Sequence, residues 1–315
     1  MAVGARPLVP SRLAPGGVVH GSRRVPTTKL KGYVALAKLR VVELLLITTV
    51  PTMVLAEQGW PSTWLVVVTL VGGTLAAGGA NAINMVIDRD IDALMVRTQG
   101  RPLVTGLITP RAALVFAVTL EVLAFGVLWW GANLLAACLT IGATLFYVFV
   151  YTIWLKRTSK QNIVIGGAAG AVPVLVGWAA VTGTVSWSAV VLFVMMFLWT
   201  PPHFWALAIR HADDYRAANV PMLPAVVPMA EAVRNMVVYT ALLVISSLVL
   251  VPVADMGWIY GVSAVVLGAA FLWGTIDLGR NPTPQRSMRV FGYSITYVTL
   301  LFGALTVDVL ARHGV

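Results

Sequence analysis

Trp64-Leu-Val-Val-Val-Thr-Leu-Val-Gly-Gly-Thr-Leu-Ala-Ala-Gly-Gly-Ala-Asn-Ala-Ile-Asn84-Met-Val-Ile-Asp88-Arg-Asp90-Ile-Asp92 decides how the chain is read. A run long enough to cross a bilayer, about 20 apolar and small residues, ends in an amide and three carboxylates. Charges beside such a run are costly and mark function more often than not. On a helix Asn84, Asp88 and Asp92 recur every four residues and drift about 40° per step, so they share one face. Oxygen side chains on one face near water suit a hard divalent cation such as Mg²⁺, which is bound by a few carboxylates together with phosphate oxygens. Asp90 points roughly the other way, as a solvated loop charge. The competing reading is an acidic helix end that only faces basic residues.

The rest of the chain repeats the pattern. Hydrophobic residues make up 59% of it and charged residues 11%, the composition of a polytopic membrane protein. Apolar runs predict an all-α architecture of about nine transmembrane helices, over 41–57, 64–88, 111–130, 134–155, 162–182, 187–210, 234–254, 258–277 and 289–310. Turn residues separate them, as in Gly59-Trp60-Pro61, Gly131-Ala132-Asn133 and Gly183-Thr184. The N-terminal tail and the segments after the second, fourth, sixth and eighth spans hold every Lys and Arg except Arg312. The positive-inside rule therefore predicts a cytoplasmic N-terminus and an external C-terminus in a bacterial cell membrane. The net charge of +10 reflects this orientation and the lipid bilayer itself, so no nucleic-acid partner is invoked. Residues 1–32 lack a continuous apolar stretch and read as a flexible basic cytoplasmic tail, with a mitochondrial transit peptide, and hence an inner-membrane address, as the alternative. Residues 33–315 form one transmembrane domain. Cys138, the only cysteine, excludes an intrachain disulfide.

The polar segments gather on one side of the membrane, so an active site opens there. Arg97 and Arg101 follow the acids closely, as a metal-bridged diphosphate requires; a salt-bridged loop is the alternative. After the fourth span, Tyr147 and Tyr151 lead into Lys156 and Arg157, a phenol and two cations that suit phosphate or merely anchor the interface. Glycines and alanines along 72–80 and 166–170 predict close helix packing, or a groove for an apolar tail. In the sixth span Pro201-Pro202 predicts a break or kink near residue 200. His203, Arg210 and Asp214 then fall about 20° to either side of one line, with His211 about 80° away. That arrangement points to a site, against a histidine that only bonds a carbonyl freed by the prolines. The second and sixth spans, four helices apart, both end in acidic segments, which predicts two pseudo-repeats facing one cavity.

Together these residues resemble the UbiA-type intramembrane prenyltransferases, and within them the protohaem IX farnesyltransferase branch. The resemblance is carried by Asn84-x3-Asp88-x3-Asp92 with Arg97-Thr98-x2-Arg101-Pro102-Leu103, by Tyr151-Thr-x2-Leu155-Lys156-Arg157 with Asn162-Ile-Val-Ile-Gly-Gly, by Trp199-Thr-Pro-Pro-His-Phe-Trp205, and by Asp213-Asp214-Tyr215-x5-Pro221-Met222-Leu223-Pro224. It implies farnesyl transfer from farnesyl diphosphate to a vinyl group of haem B, with Mg²⁺ as cofactor. Asn84, Asp88, Asp92 and Lys156 would be catalytic. Asn84, Asp88, Asp92 and Asp214 would hold the metal, Arg97, Arg101, Lys156, Arg157 and Tyr151 the diphosphate, and His203, Arg210 and His211 the haem. Haem A synthase or terminal-oxidase assembly proteins would be its protein partners. The family's second Asp-x3-Asp is incomplete, with Arg210 in place of the first acid. Transfer to an aromatic or quinone-precursor acceptor is the alternative, which Pro201-Pro202-His203 disfavours. A transporter is the second, which acids gathered at one face and not at the midplane disfavour.

Overall fold

A computed structural model describes residues 26–38 and 40–314, without the side chains of 40–46. No strand occurs among the described residues. The helices run α1 Lys29–Ala37, α2 Arg40–Glu57, α3 Thr63–Ile87, α4 Arg89–Leu94, α5 Pro110–Gly131 and α6 Leu134–Leu145. A π-helical segment, Phe146–Leu155, joins α6 to α7 Lys156–Thr158. There follow α8 Asn162–Thr182, α9 Trp187–Arg210, α10 Ala212–Ala217, α11 Leu223–Val226, α12 Met229–Val253, α13 Trp258–Arg280 and α14 Pro284–His313.

Local chemistry sets these boundaries. Ser62, Thr109, Asn133, Ser186 and Thr283 each cap a helix by accepting a backbone N–H three residues on, which satisfies a donor the helix cannot. Gly183 ends α8 at φ 67°, a left-handed conformation that glycine adopts without penalty. Eight described helices are long and apolar enough to cross a membrane. The ninth expected span is α2, of which the apolar part Ile47–Glu57 is described. The chain is a multi-pass membrane protein. Trp64, Trp130, Trp187 and Trp258 are exposed at helix ends opposite those that bear the basic loops, as an aromatic belt at a membrane surface would be.

Two groups of helices surround the site. α3 packs chiefly on α5, and α9 on α12, α8 and α14. The small residues serve this packing: a Cβ on Gly72 would meet Leu128 at 2.5 Å, and one on Gly166 would meet the Tyr151 ring at 2.2 Å. Two expectations need correction. α9 runs unbroken through Pro201 and Pro202. Both prolines are buried, among neighbouring helices that hold the turn despite the missing N–H groups. The other concerns the tail: most of 1–32 lies outside the described residues, but Lys29–Gly32 already belong to α1, which Thr28 caps and Gly32 seats against Ile108.

Candidate active site

The site is built where α3 stops. Asp88 leaves the helical register at φ −87°, ψ 5°, and α4 restarts at Arg89. The backbone bonds Asp88 N–H to Asn84 O and Asp92 N–H to Asp88 O keep the four-residue spacing across this joint, at 2.9 and 2.8 Å. Asn84, Asp88 and Asp92 are all buried, on two short helical pieces and not on one straight helix.

Each buried acid meets a cation from another segment. Lys156 pairs with Asp88 Oδ2, and Arg101 pairs with Asp92. Asn84 Nδ2 donates to the same Asp88 oxygen at 2.7 Å and to Thr152 Oγ1 at 3.2 Å. Lys38 Nζ donates to Asn84 Oδ1 at 3.3 Å. The other carboxylate oxygen, Asp88 Oδ1, is buried without a hydrogen-bond partner among the described residues; Arg157 lies 3.8 Å from it. Arg157 forks instead onto Asp90, with both bonds at 2.8 Å. Asp90 is 61% exposed, and the Arg157 hydrogen bonds lower its pKa to about 2.

In the sequence Lys38 reads as an orientation charge only. It sits at φ 49°, a conformation uncommon outside glycine and worth noticing near a site. Burial first, then the charges of Arg101 and Lys156, push its amine down to about 7. Thr152 was also missed, although it follows Tyr151 directly. Its hydroxyl donates to the Tyr147 carbonyl at 2.8 Å, across the wide turn of the π-helical segment.

The second acidic segment closes over the first. Asp214 accepts the Val96 N–H at 3.3 Å and lies 3.9 Å from Arg97 and 3.8 Å from His211. Arg97 also donates to the Tyr215 hydroxyl at 3.0 Å, with its guanidinium 5.0 Å from that ring's centre. Tyr151 stacks on Tyr147 at 5.3 Å. The ends of the second and sixth spans therefore do face one another. Arg210 does not join them: it is exposed and has no acidic partner among the described residues. α9 ends at Arg210 and the chain turns at His211, so the expected line from His203 through Arg210 to Asp214 stops before Asp214.

His203 occupies a different environment. It is buried, stacked between Trp199 at 4.2 Å and Phe291 at 4.6 Å. Its Nδ1 lies 2.7 Å from Ser294 Oγ, which donates its own proton to the Phe291 carbonyl at 2.6 Å. A hydroxyl has one proton, so with that proton on the carbonyl His203 Nδ1 is the donor to Ser294. In this tautomer the Nε2 lone pair is left for a ligand. Ser294 and Phe291 gave no sequence signal, being ordinary residues in the last apolar span.

Asn84, Asp88 and Asp92 offer the oxygen donors Mg²⁺ selects, and the unpartnered Asp88 Oδ1 is a buried anionic atom that a cation would satisfy. The described residues hold no group of three or more His, Cys, Asp or Glu able to cage a metal. Such a site suits a metal completed by a ligand's own oxygens.

Known proteins share the sequence and the fold of this chain. The protoheme IX farnesyltransferase of Frankia alni is 57% identical over 285 residues, covering 89% of this chain and 98% of that one. A digeranylgeranylglyceryl phosphate synthase structure superposes with a TM-score of 0.74 at 17% identity, over 90% of this chain and 99% of that chain. A UbiA homologue from Archaeoglobus fulgidus, solved bound to GPP and Mg²⁺, does so at 0.61 and 18% identity, over 87% and 99%. The model of the UbiA prenyltransferase family matches residues 45–302, and with four-fifths of its length inside that match the chain belongs to this family.

Proposed function

We propose that the chain transfers the farnesyl group of farnesyl diphosphate to a vinyl group of haem B; water adds, giving haem O and diphosphate. The observation that carries this reading is the pairing of two unlike sites, an ionic pocket at the end of α3 and a dry histidine on α9. The 57% identity of the chain to the protoheme IX farnesyltransferase of Frankia alni supports it.

Departure of diphosphate builds negative charge that preorganised cations stabilise. Lys156, Arg157, Arg97 and Arg101 would bind its oxygens, and Tyr151 would hold it from the membrane side. Lys156 and Arg101 are already held in place by Asp88 and Asp92, so little reorganisation is needed. Asn84, Asp88 and Asp92, with Asp214 facing them, would hold Mg²⁺, which supplies Lewis-acid charge stabilisation when bound. Lys38 would complete the cationic wall through Asn84. The apolar interior keeps water from the allylic cation until the vinyl π-bond attacks.

His203 presents Nε2 as a lone pair to the acceptor, as an iron ligand or a contact that orients the ring. Arg210 and His211 lie seven and eight residues further on, about 10–12 Å along the helix at 1.5 Å per residue, toward water, where haem propionates would sit. Haem A synthase or terminal-oxidase assembly proteins are the partners that would receive haem O. The basic loops gathered on one side support a cell-membrane protein with its N-terminus, a basic tail before α1, in the cytoplasm and its C-terminus outside. The deciding experiment is an assay of the purified protein with farnesyl diphosphate, haem B and Mg²⁺, followed by mass spectrometry. Haem O and diphosphate in equal amounts are expected. Diphosphate formed only with an aromatic acid or quinone precursor would replace this acceptor.

A further inference from the structure

A second polar feature lies away from this site, between α13 and α14. Near the basic end of these helices is a cleft of about 200 Å³. Its mouth is formed by Asp277, Arg286 and Arg289, and its floor by Phe271 and Val290. The floor is open because position 274 is a glycine: a Cβ there would meet nothing nearer than a Val290 methyl at 4.0 Å.

The charges are arranged unequally. Arg286 is fixed by Asp277, donating to its carboxylate at 2.9 Å and its carbonyl at 3.2 Å. Asp277 is the one acid at the cleft, and Arg286 offsets its charge. Arg289 is exposed and has no acidic partner among the described residues. Arg280, one turn beyond the cleft, lies 5.5 Å from the centre of the exposed Trp273 ring. The mouth is therefore net positive, the walls aromatic and the floor apolar. The whole sits where α13 ends and α14 begins, on the side to which Asp88 and Asp92 open. Its volume is below the roughly 300–1,000 Å³ of pockets that enclose small molecules, so it takes a headgroup and not a haem or a nucleotide. Basic pockets between transmembrane helices at this depth suit anionic lipids.

We propose that the cleft binds the phosphodiester of an anionic phospholipid. Arg289 and Arg286 meet the phosphate, and the first methylenes of a chain lie on Gly274, Phe271 and Val290. Soluble phosphate shares the charge but not the chain, which makes the sources separable.

The test uses the full-length protein in a neutral detergent, with lipid retention read by native mass spectrometry and the unfolding midpoint by a thermal scan. Short-chain phosphatidylglycerol, phosphatidylcholine of the same chain length and inorganic phosphate are added in turn. Phosphatidylglycerol alone is expected to be retained and to raise the midpoint. R289Q is expected to weaken that binding roughly fivefold, the effect of one basic residue near a lipid surface. G274L alters no charge and enters open space, and leucine is the better helix former. Its midpoint without lipid is expected to match or exceed wild type while its phosphatidylglycerol binding is lost. Unchanged phosphatidylglycerol binding in either variant overturns the proposal, as does an equal response to phosphate or to phosphatidylcholine.

Discussion

Asp88 and Asp308 are the two most deeply buried aspartates described, 0% and 1% exposed, at opposite ends of the bundle. Asp308 is complete. One oxygen accepts the Gly257 N–H at 2.6 Å and the other the Tyr260 N–H at 3.2 Å, so it caps α13, which has no side-chain cap of its own. Asp88 is incomplete: Lys156 and Asn84 crowd one oxygen while the other has no hydrogen bond among the described residues. Burial costs both carboxylates their hydration. Only Asp308 recovers it through fixed backbone donors, while the second Asp88 oxygen is the one the proposed metal would satisfy. In the proposed function, completeness of bonding, and not burial, separates a structural acid from one that holds a ligand.

The contrast breaks most decisively on metal removal. Dialysis against chelator is expected to abolish turnover, and restored Mg²⁺ to recover it and raise the unfolding midpoint, since a ligand that binds only the folded state stabilises it. Full turnover in excess chelator would end the metal-assisted reading. Next, D88N and D92N are each expected to lower turnover by about 100-fold or more, the scale of a lost electrostatic contact in a transition state. The Mg²⁺-dependent rise in midpoint should disappear with them. D88N with wild-type kinetics would put Asp88 in the same class as Asp308.

Smaller effects sharpen the comparison. H203A is expected to alter the haem absorption spectrum and reduce haem affinity, and S294A to do so more weakly by freeing the tautomer. Unchanged spectra in both would leave His203 a packing residue. D308A is expected to cost about 1–3 kcal/mol by stranding the buried Tyr260 N–H and the part-buried Gly257 N–H, with kcat unaltered; a thermal scan beside the transfer assay measures both. D90A should be mildest, since exposed pairs contribute about 0.2–1 kcal/mol. The sign of its pH dependence is fixed: the folded pKa is depressed from 3.8 to about 2. Its small contribution is present above pH 4 and fades as pH falls toward 2. Salt should erase it too.

Much of this was legible in the sequence. Spans announce themselves because lipid forbids unpaired backbone, so long apolar runs have few alternatives to helices. The acids at the end of α3 stood out for the same reason, as charges where they are costly. What escaped was long-range. Lys38 reaches Asn84 across 46 residues, and Ser294 reaches His203 across 91; no local period encodes either contact. The alignment of Arg210 with Asp214 failed because helical periodicity says nothing once the helix stops. Pro201-Pro202 did not break the helix, because the propensity argument omits the neighbouring helices that hold the turn.

The π-helical segment makes the site depend on counting. It lies between Thr144, which donates to Glu121 of α5, and Lys156, which reaches Asp88. A π-turn closes on the carbonyl five residues back, where an α-turn closes on the fourth, so a wide turn carries one residue more than an α-turn. Losing that residue would let the turn close as an α-turn with Lys156 and Arg157 still near their face. Losing one from the regular α6 before it would instead carry Thr152, Lys156 and Arg157 about 100° round the axis. The identity of these residues is therefore only half of their specification. The other half is where along the helix they are counted, and the wide turn is the place that can give up a residue.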